Sequence, residues 1–322
     1  MDAAGRARAP GETAPGGIVP HSERLYRAPA FAFGAALARI APLGLTRWLA
    51  GAAGWLYGWT HPGRVAVVHQ NLRLLDPTLP RRRARRVYAE FGKTLADYFY
   101  LGTRPAEEAT RIVSRVVGHE LLDGLKEEGR GALVVTAHFG LFELGGLMLT
   151  QAGLRAAALT FPEPSPALTA WRAAFRKRWD VDTIEMGADS FAFVEIAARL
   201  RRGEFVATLI DRPRPGGDVP VRWPGGSSRV STGLLLLAAH GGWPVVPALM
   251  ARQADGTYHS RVFAPIEIVE RGSREETLRF YSQQLADLFL PVLREHPEQW
   301  YQFVPLAAQG SDGSGGTLTS TS

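Results

Sequence analysis

Between residues 118 and 294 the chain alternates short β-branched apolar runs with amphipathic helical stretches, and this alternation restricts its folds more than any other feature. The pattern predicts strands at 131–137, 156–161, 181–185, 204–210, 219–223, 245–251 and 258–264. It predicts helices at 141–152, 167–179, 191–202, 231–240 and 275–294. Strands separated by helices of this length imply an α/β fold, with a mostly parallel central sheet flanked by helices. An apolar fraction of 46% suffices to fill such a core.

Upstream, residues 31–59 are strongly apolar but are interrupted by Arg39, Pro42 and Arg47. The uninterrupted runs fall short of the roughly 20 residues that span a bilayer. Trp48, Trp55, Tyr57 and Trp59 are residue types that favour the membrane–water interface. Two short helices lying in a membrane surface fit this segment; helices packed on the protein's own core are the alternative. A further helix, about 80–102, opens with Arg-Arg-Arg-Ala-Arg-Arg at 81–86. These arginines form either a solvated face or an anchor for anionic headgroups, worth about 1 kcal/mol per basic residue near the surface. No aromatic interleaving or binding motif accompanies them, so nucleic acid is not an expected partner. The Ala/Gly/Pro-rich residues 1–22 and the Gly/Ser/Thr-rich residues 307–322 read as disordered tails. The first of these carries no signal-peptide apolar region. The expected organisation is a tail at 1–22, an N-terminal helical membrane-associating region at 23–115, an α/β domain at 116–306 and a tail at 307–322.

The formal charge is +6, from 37 basic and 31 acidic residues, and only Lys93, Lys126 and Lys177 are lysines. The arginines suit anionic lipid or phosphorylated substrates. Cysteine is absent, which excludes a thiolate nucleophile, a disulfide and Cys-ligated metal. No phosphate-binding Gly-rich loop, dinucleotide fingerprint, His-Glu-x-x-His or Gly-x-Ser-x-Gly elbow occurs, so no metal or cofactor is expected.

Active residues in parallel sheets gather where strands end. The first clear strand runs into Thr136-Ala137-His138-Phe139-Gly140-Leu141-Phe142-Glu143. A strand-to-helix turn at Gly140 would fold Glu143 onto His138, fix one imidazole nitrogen and leave the other as a base. Such a carboxylate would also raise the imidazole pKa. Open N–H groups at the helix start would suit an oxyanion. Asp211 and Arg212 follow the 204–210 strand and share the same rim. His240, just ahead of Gly241-Gly242, reads as a helix-terminal residue.

His-Phe-Gly-Leu-Phe-Glu at 138–143 resembles the His-x4-Asp/Glu block of the glycerolipid and lipid A acyltransferases, usually written His-Phe-Gly-Asn-Trp-Glu. Leu141 and Phe142 depart from that form. Arg-Arg-Gly-Glu-Phe at 201–205 leading to Asp211, Val-Pro-Val-Arg-Trp-Pro-Gly at 219–225 leading to Ser-Thr-Gly at 231–233, and His-Pro-Glu-Gln-Trp-Tyr at 296–301 are similar to further family blocks in the same order. Asn71-Leu72 before the helix at Pro80 is similar to the upstream pattern, so the resemblance covers about residues 25–305. It implies a lipid A biosynthesis acyltransferase-like protein that moves a fatty acyl chain from acyl carrier protein or coenzyme A to a hydroxyl of a lipid A-like or other glycolipid acceptor. His138 would be the base, Glu143 its orienting partner, and no acyl-enzyme would form. Arg212 or Arg229 would meet the oxyanion, and Asp211, Arg212, Arg222 and Arg229 would bind substrate, the last two through phosphate. The implied location is the cytoplasmic face of a bacterial inner membrane. A thioesterase using the same pair, or a non-catalytic lipid-binding protein, are the alternatives.

Overall fold

The computed structural model describes residues 28–161, 166–187, 191–214 and 218–306. The tails expected at 1–22 and 307–322 lie outside the described residues. Helices α1 (Ala28–Ile40) and α2 (Leu43–Thr60) are separated at Pro42, whose ring and missing N–H bar a continuous helix. α3 (Pro62–Leu75) starts on a proline, and α4 (Arg81–Leu101) and the short α5 (Ala106–Thr110) follow. The chain continues through β1 (Val113–Val117), α6 (Glu120–Glu127), β2 (Ala132–Thr136), α7 (Glu143–Gln151), β3 (Ala156–Thr160), α8 (Pro166–Lys177) and β4 (Val181–Glu185). It ends with α9 (Phe191–Arg201), β5 (Phe205–Leu209), β6 (Asp218–Trp223), β7 (Gly226–Ser231), α10 (Leu234–Gly241), β8 (Val245–Arg252), β9 (Tyr258–Val262) and α11 (Arg274–Glu295).

Among the described residues seven strands form one sheet in the order β1-β9-β8-β2-β5-β3-β4. Every neighbouring pair is parallel except β8 with β9. The α/β class and mostly parallel sheet expected from the sequence are therefore present. Two elements differ from expectation. β1 is an additional edge strand; its Ser114 and Arg115 interrupt the apolar run that marks a buried strand. β7 pairs antiparallel with β6, and α10 begins at Leu234 rather than at 231. The Gly-Ser-Ser-Arg-Val-Ser sequence of β7 has little apolar alternation, and the turn at Pro224-Gly225 brings it onto β6.

Strand alternation builds a core on each side of the sheet. Leu133 and Val135 of β2 face Val65, Leu72, Ile196, Leu235 and Leu285 on one side. Ala132 and Val134 face Tyr98, Leu144, Phe175 and Trp179 on the other. The N-terminal helices join this body rather than standing apart. α2 packs along α4 at a glycine-lined contact, where a Cβ on Gly54 would lie 2.0 Å from the Tyr88 carbonyl oxygen and one on Gly92 2.2 Å from that of Ala50. Buried Asp97 of α4 accepts from Arg47 of α2 and from the Tyr258 hydroxyl of β9, tying both helices to the sheet. The opposite surface of α1 and α2 is open: Trp48 is 67% exposed and Ile40 84%. Among the described residues no helix is long and apolar enough to cross a membrane.

The α2–α4 contact yields a test. Gly92→Ala should lower stability by about 1–3 kcal/mol, because a methyl has no room against backbone. Gly63→Ala, at a site with nothing within 4 Å, should be neutral or slightly stabilising. Denaturant or thermal unfolding of the two variants measures the difference.

Candidate active site

Parallel register sets the central geometry. Thr136, the last residue of β2, pairs with Leu209, the last residue of β5. His138 and Asp211 each lie two residues further on, so they leave adjacent strands side by side. The His138 backbone N–H donates to Asp211 Oδ2 at 2.8 Å, and Nδ1 lies 2.6 Å from Oδ1. Oδ2 also accepts from Trp300 Nε1 at 2.9 Å and Gln302 Nε2 at 2.5 Å. Oδ1 is left to the imidazole. A carboxylate only accepts, so Nδ1 carries the proton and Nε2 presents its lone pair. The His138 side chain is 17% exposed, enough for a substrate atom to reach it.

The segment after α11 clamps this turn. Gly140 adopts φ +54°, and a Cβ there would lie 1.8 Å from the Met250 carbonyl oxygen, so glycine is required on both counts. The Gly140 N–H donates to the Gln299 carbonyl and the Tyr301 N–H to the His138 carbonyl. Asn71 of α3 donates to the carbonyls of Gln302 and Val304 and accepts from the Leu306 N–H, which holds the segment in place.

The expected contact between His138 and Glu143 is not formed, and this corrects the sequence reading. Glu143 opens α7, but its oxygens accept from Arg176 at 2.7 and 2.8 Å and from Arg172 at 2.7 Å. Two guanidiniums one helical turn apart on α8 outcompete a single imidazole for the carboxylate. The group that meets Nδ1 is Asp211, which sequence reading placed on the correct rim but assigned to substrate. Arg212 also reaches the couple's surroundings, donating to Gln302 Oε1 at 3.0 Å and to the Tyr301 carbonyl at 2.8 Å. Arg222 and Arg229 lie on the β6–β7 hairpin, with no hydrogen bond to His138 or Asp211. The Arg222 backbone N–H donates to Gln283, and the exposed Arg229 guanidinium closes on Asp218 at 2.9 Å. The N–H groups of Leu144 and Gly145 at the start of α7 bond to Leu141 and Phe142 carbonyls. No group of three or more His, Asp or Glu side chains converges on a metal position among the described residues.

Electrostatics suit a neutral imidazole. Burial pushes the His138 pKa below its ordinary value; Asp211 opposes this, while Arg212 and Arg214 add to it. The rise expected from a carboxylate neighbour is therefore outweighed. Burial raises the Asp211 carboxyl, but His138, Arg212 and the Trp300 indole hold it below the ordinary value. Burial likewise acts to raise Glu143, and Arg176 and Arg172 overcome it and hold the group at about 2. The Arg172/Arg176 pair and the roles of Trp300 and Gln302 escaped sequence reading. The spacing of Arg172 and Arg176 was the one available signal, since residues four apart share a helix face.

Glu143→Ala should destabilise the protein by about 3–5 kcal/mol, since it strands buried positive charge. The depressed carboxyl contributes stability that is complete above its ordinary value of 4.5 and is lost as pH falls through about 2. Glu143→Gln should remove that part of the acid dependence, read by unfolding across this pH window.

A strand-end His in this setting is the arrangement anticipated from the His-x4-Glu block, although the carboxylate partner is a different one. A family profile described as bacterial lipid A biosynthesis acyltransferase matches residues 22–306. Comparison with curated proteins gave no match. The profile covers the whole of the described fold, from the N-terminal helices through the clamp after α11, and on that extent the chain belongs to the bacterial lipid A biosynthesis acyltransferase family.

Proposed function

We propose that the chain is an O-acyltransferase that carries a fatty acyl group from a thioester of acyl carrier protein or coenzyme A to a hydroxyl of a lipid A-like or other glycolipid. The observation that carries this reading is the His138–Asp211 couple at the carboxyl edge of the sheet. Nε2 of His138 takes the acceptor's hydroxyl proton. The alkoxide oxygen attacks the thioester carbonyl, a C–O bond forms, and the C–S bond breaks as the tetrahedral intermediate collapses. The departing thiolate receives the proton from the imidazolium. Asp211 holds the tautomer and stabilises the imidazolium, in the manner of the acid in a Ser-His-Asp triad. Glu143 acts as a positioning residue, since its pair with Arg172 and Arg176 fixes the start of α7 beside the turn.

His138→Ala should lower acyl transfer about 10²–10⁴-fold, the usual worth of a general base. Lipid mass spectrometry of a deletion strain, complemented with wild type or variant, identifies the lipid that loses one acyl chain. Free fatty acid formed without dependence on an acceptor would instead mark a thioesterase. The acid limb of kcat/KM should lie below the ordinary imidazole value, because the folded-state shift is downward. Asp211→Asn should lower the rate and move that limb to still lower pH, since the carboxylate is the main group opposing the shift.

Attachment to the cytoplasmic face of an inner membrane is part of the same proposal. Trp48, Trp55 and Trp59 are at least half exposed along α2, and the Arg85 guanidinium lies 3.9 Å from the Trp59 ring centroid. An apolar stripe bordered by arginines suits an anionic interface. Sedimentation with vesicles should show binding that rises with anionic lipid content and falls in Trp48→Ala/Trp55→Ala. Equal binding of both proteins to neutral and anionic vesicles would remove this assignment.

A further inference from the structure

Residues 141–144 carry the chain from the His138 turn into α7, and their side chains part in different directions. Leu141 and Leu144 are buried in the same core as Tyr98 and Phe175. They lie three residues apart and so share one face of the starting helix. Glu143 is held by Arg172 and Arg176. Phe142 joins neither group. It precedes α7 with helical angles, φ −56° and ψ −29°, and is half-buried. Among the described residues its side chain belongs to neither core, and the one aromatic ring it meets is the His138 imidazole. The centroids are 5.8 Å apart and the planes cross at 67°, an edge-on contact.

The neighbours of Phe142 explain why the ring stays there. Leu141 and Leu144 anchor the backbone in the core, and two guanidiniums grip the residue between them and Phe142. The backbone on both sides of Phe142 is thereby fixed. Asp211 covers the Nδ1 edge of the imidazole, and the phenyl ring adds an apolar wall beside the rest, so that only 17% of the side chain meets solvent. Such a wall offers water no hydrogen bond, so a water placed beside the base loses partners that it has in bulk. The carbon skeleton of a lipid substrate instead gains by covering the same wall.

We propose that Phe142 is a specificity-determining residue that decides which nucleophile His138 activates, keeping water from the base while admitting the acceptor hydroxyl. Without the ring, water would give its proton to Nε2 and the resulting hydroxide would attack the thioester carbonyl. Collapse of the intermediate would break the C–S bond, the thiolate would take the proton from the imidazolium, and a free fatty acid would leave. One base thus serves transfer or hydrolysis, and the wall beside it sets the balance. The competition between acceptor and water rests on the acyltransferase reading, whereas the shielding of His138 does not. The Glu143 lock gains a purpose here, since it holds the backbone that carries the wall.

The test has two arms. In the first, the full chain is given dodecanoyl thioesters of coenzyme A and of acyl carrier protein, with the lipid extract of a deletion strain as the source of acceptor. Free fatty acid and acylated lipid are measured together. Phe142→Ala should raise the ratio of free acid to acylated lipid about 10- to 100-fold, the usual worth of one apolar contact in discrimination. Phe142→Trp, which keeps a ring beside the base, should retain the low ratio, and Phe142→Leu should lie between. A merely structural role would lower both products together, and an unchanged ratio in Phe142→Ala would overturn the proposal. The second arm needs no substrate. His138 is modified with diethyl pyrocarbonate at fixed pH and followed by peptide mass spectrometry. Modification should be faster in Phe142→Ala, with the other histidines unchanged; equal His138 rates in wild type and variant would also overturn the proposal. Faster reaction at every histidine marks an unfolded variant, and Phe142→Leu then decides. If wild type forms no acylated lipid from either thioester, the acyltransferase reading fails, and the labelling arm still decides whether Phe142 shields His138.

Discussion

The parallel pairing of β2 with β5 is the constraint on which the site depends. It carries no catalytic group, yet its register brings the last residues of the two strands together, so His138 and Asp211 emerge as neighbours despite their separation in the chain. A parallel ladder fixes this placement through evenly spaced backbone bonds and through the burial of both faces. A slip of one residue would invert the facing of every side chain on the strand and dismantle the couple along with the core.

Around that pairing the molecule uses two separate charge arrangements close together. One carboxylate, Asp211, is surrounded by N–H donors and held against the imidazole. The other, Glu143, is locked between two arginines and fixes the helix that follows the His138 turn. The division is physically sensible. A carboxylate that must keep one oxygen for an imidazole is best supported by neutral donors such as an indole and an amide. A guanidinium fork there would compete for the same lone pairs. The pair with two arginines is stronger and more rigid, which suits an anchor.

The N-terminal helices extend the same logic to the periphery. Their glycines let α2 approach α4 closely, and the Arg47–Asp97–Tyr258 contacts join them to β9. Their tryptophans remain outside. An element packed on one side and apolar on the other is the form that the proposed interfacial attachment requires.

Much of this was legible in the sequence. Alternating apolar runs and helical periods determined the α/β class and most of the strands, because burial on both faces of a parallel sheet demands such runs. Strand ends located His138, Asp211 and Arg212 on one rim, and the His-Phe-Gly block marked the turn. Polar or charge-interrupted strands such as β1 and β7 were not legible, since their pairing owes little to apolar pattern. The partner of His138 was decided only by tertiary structure. Proximity in sequence favoured Glu143, five residues away, but strand order and register brought Asp211 to the ring and the packing of α8 brought two arginines to Glu143. Local periodicity encodes which elements form. Which charges meet depends on how those elements are ordered in space, and a linear pattern does not contain that order.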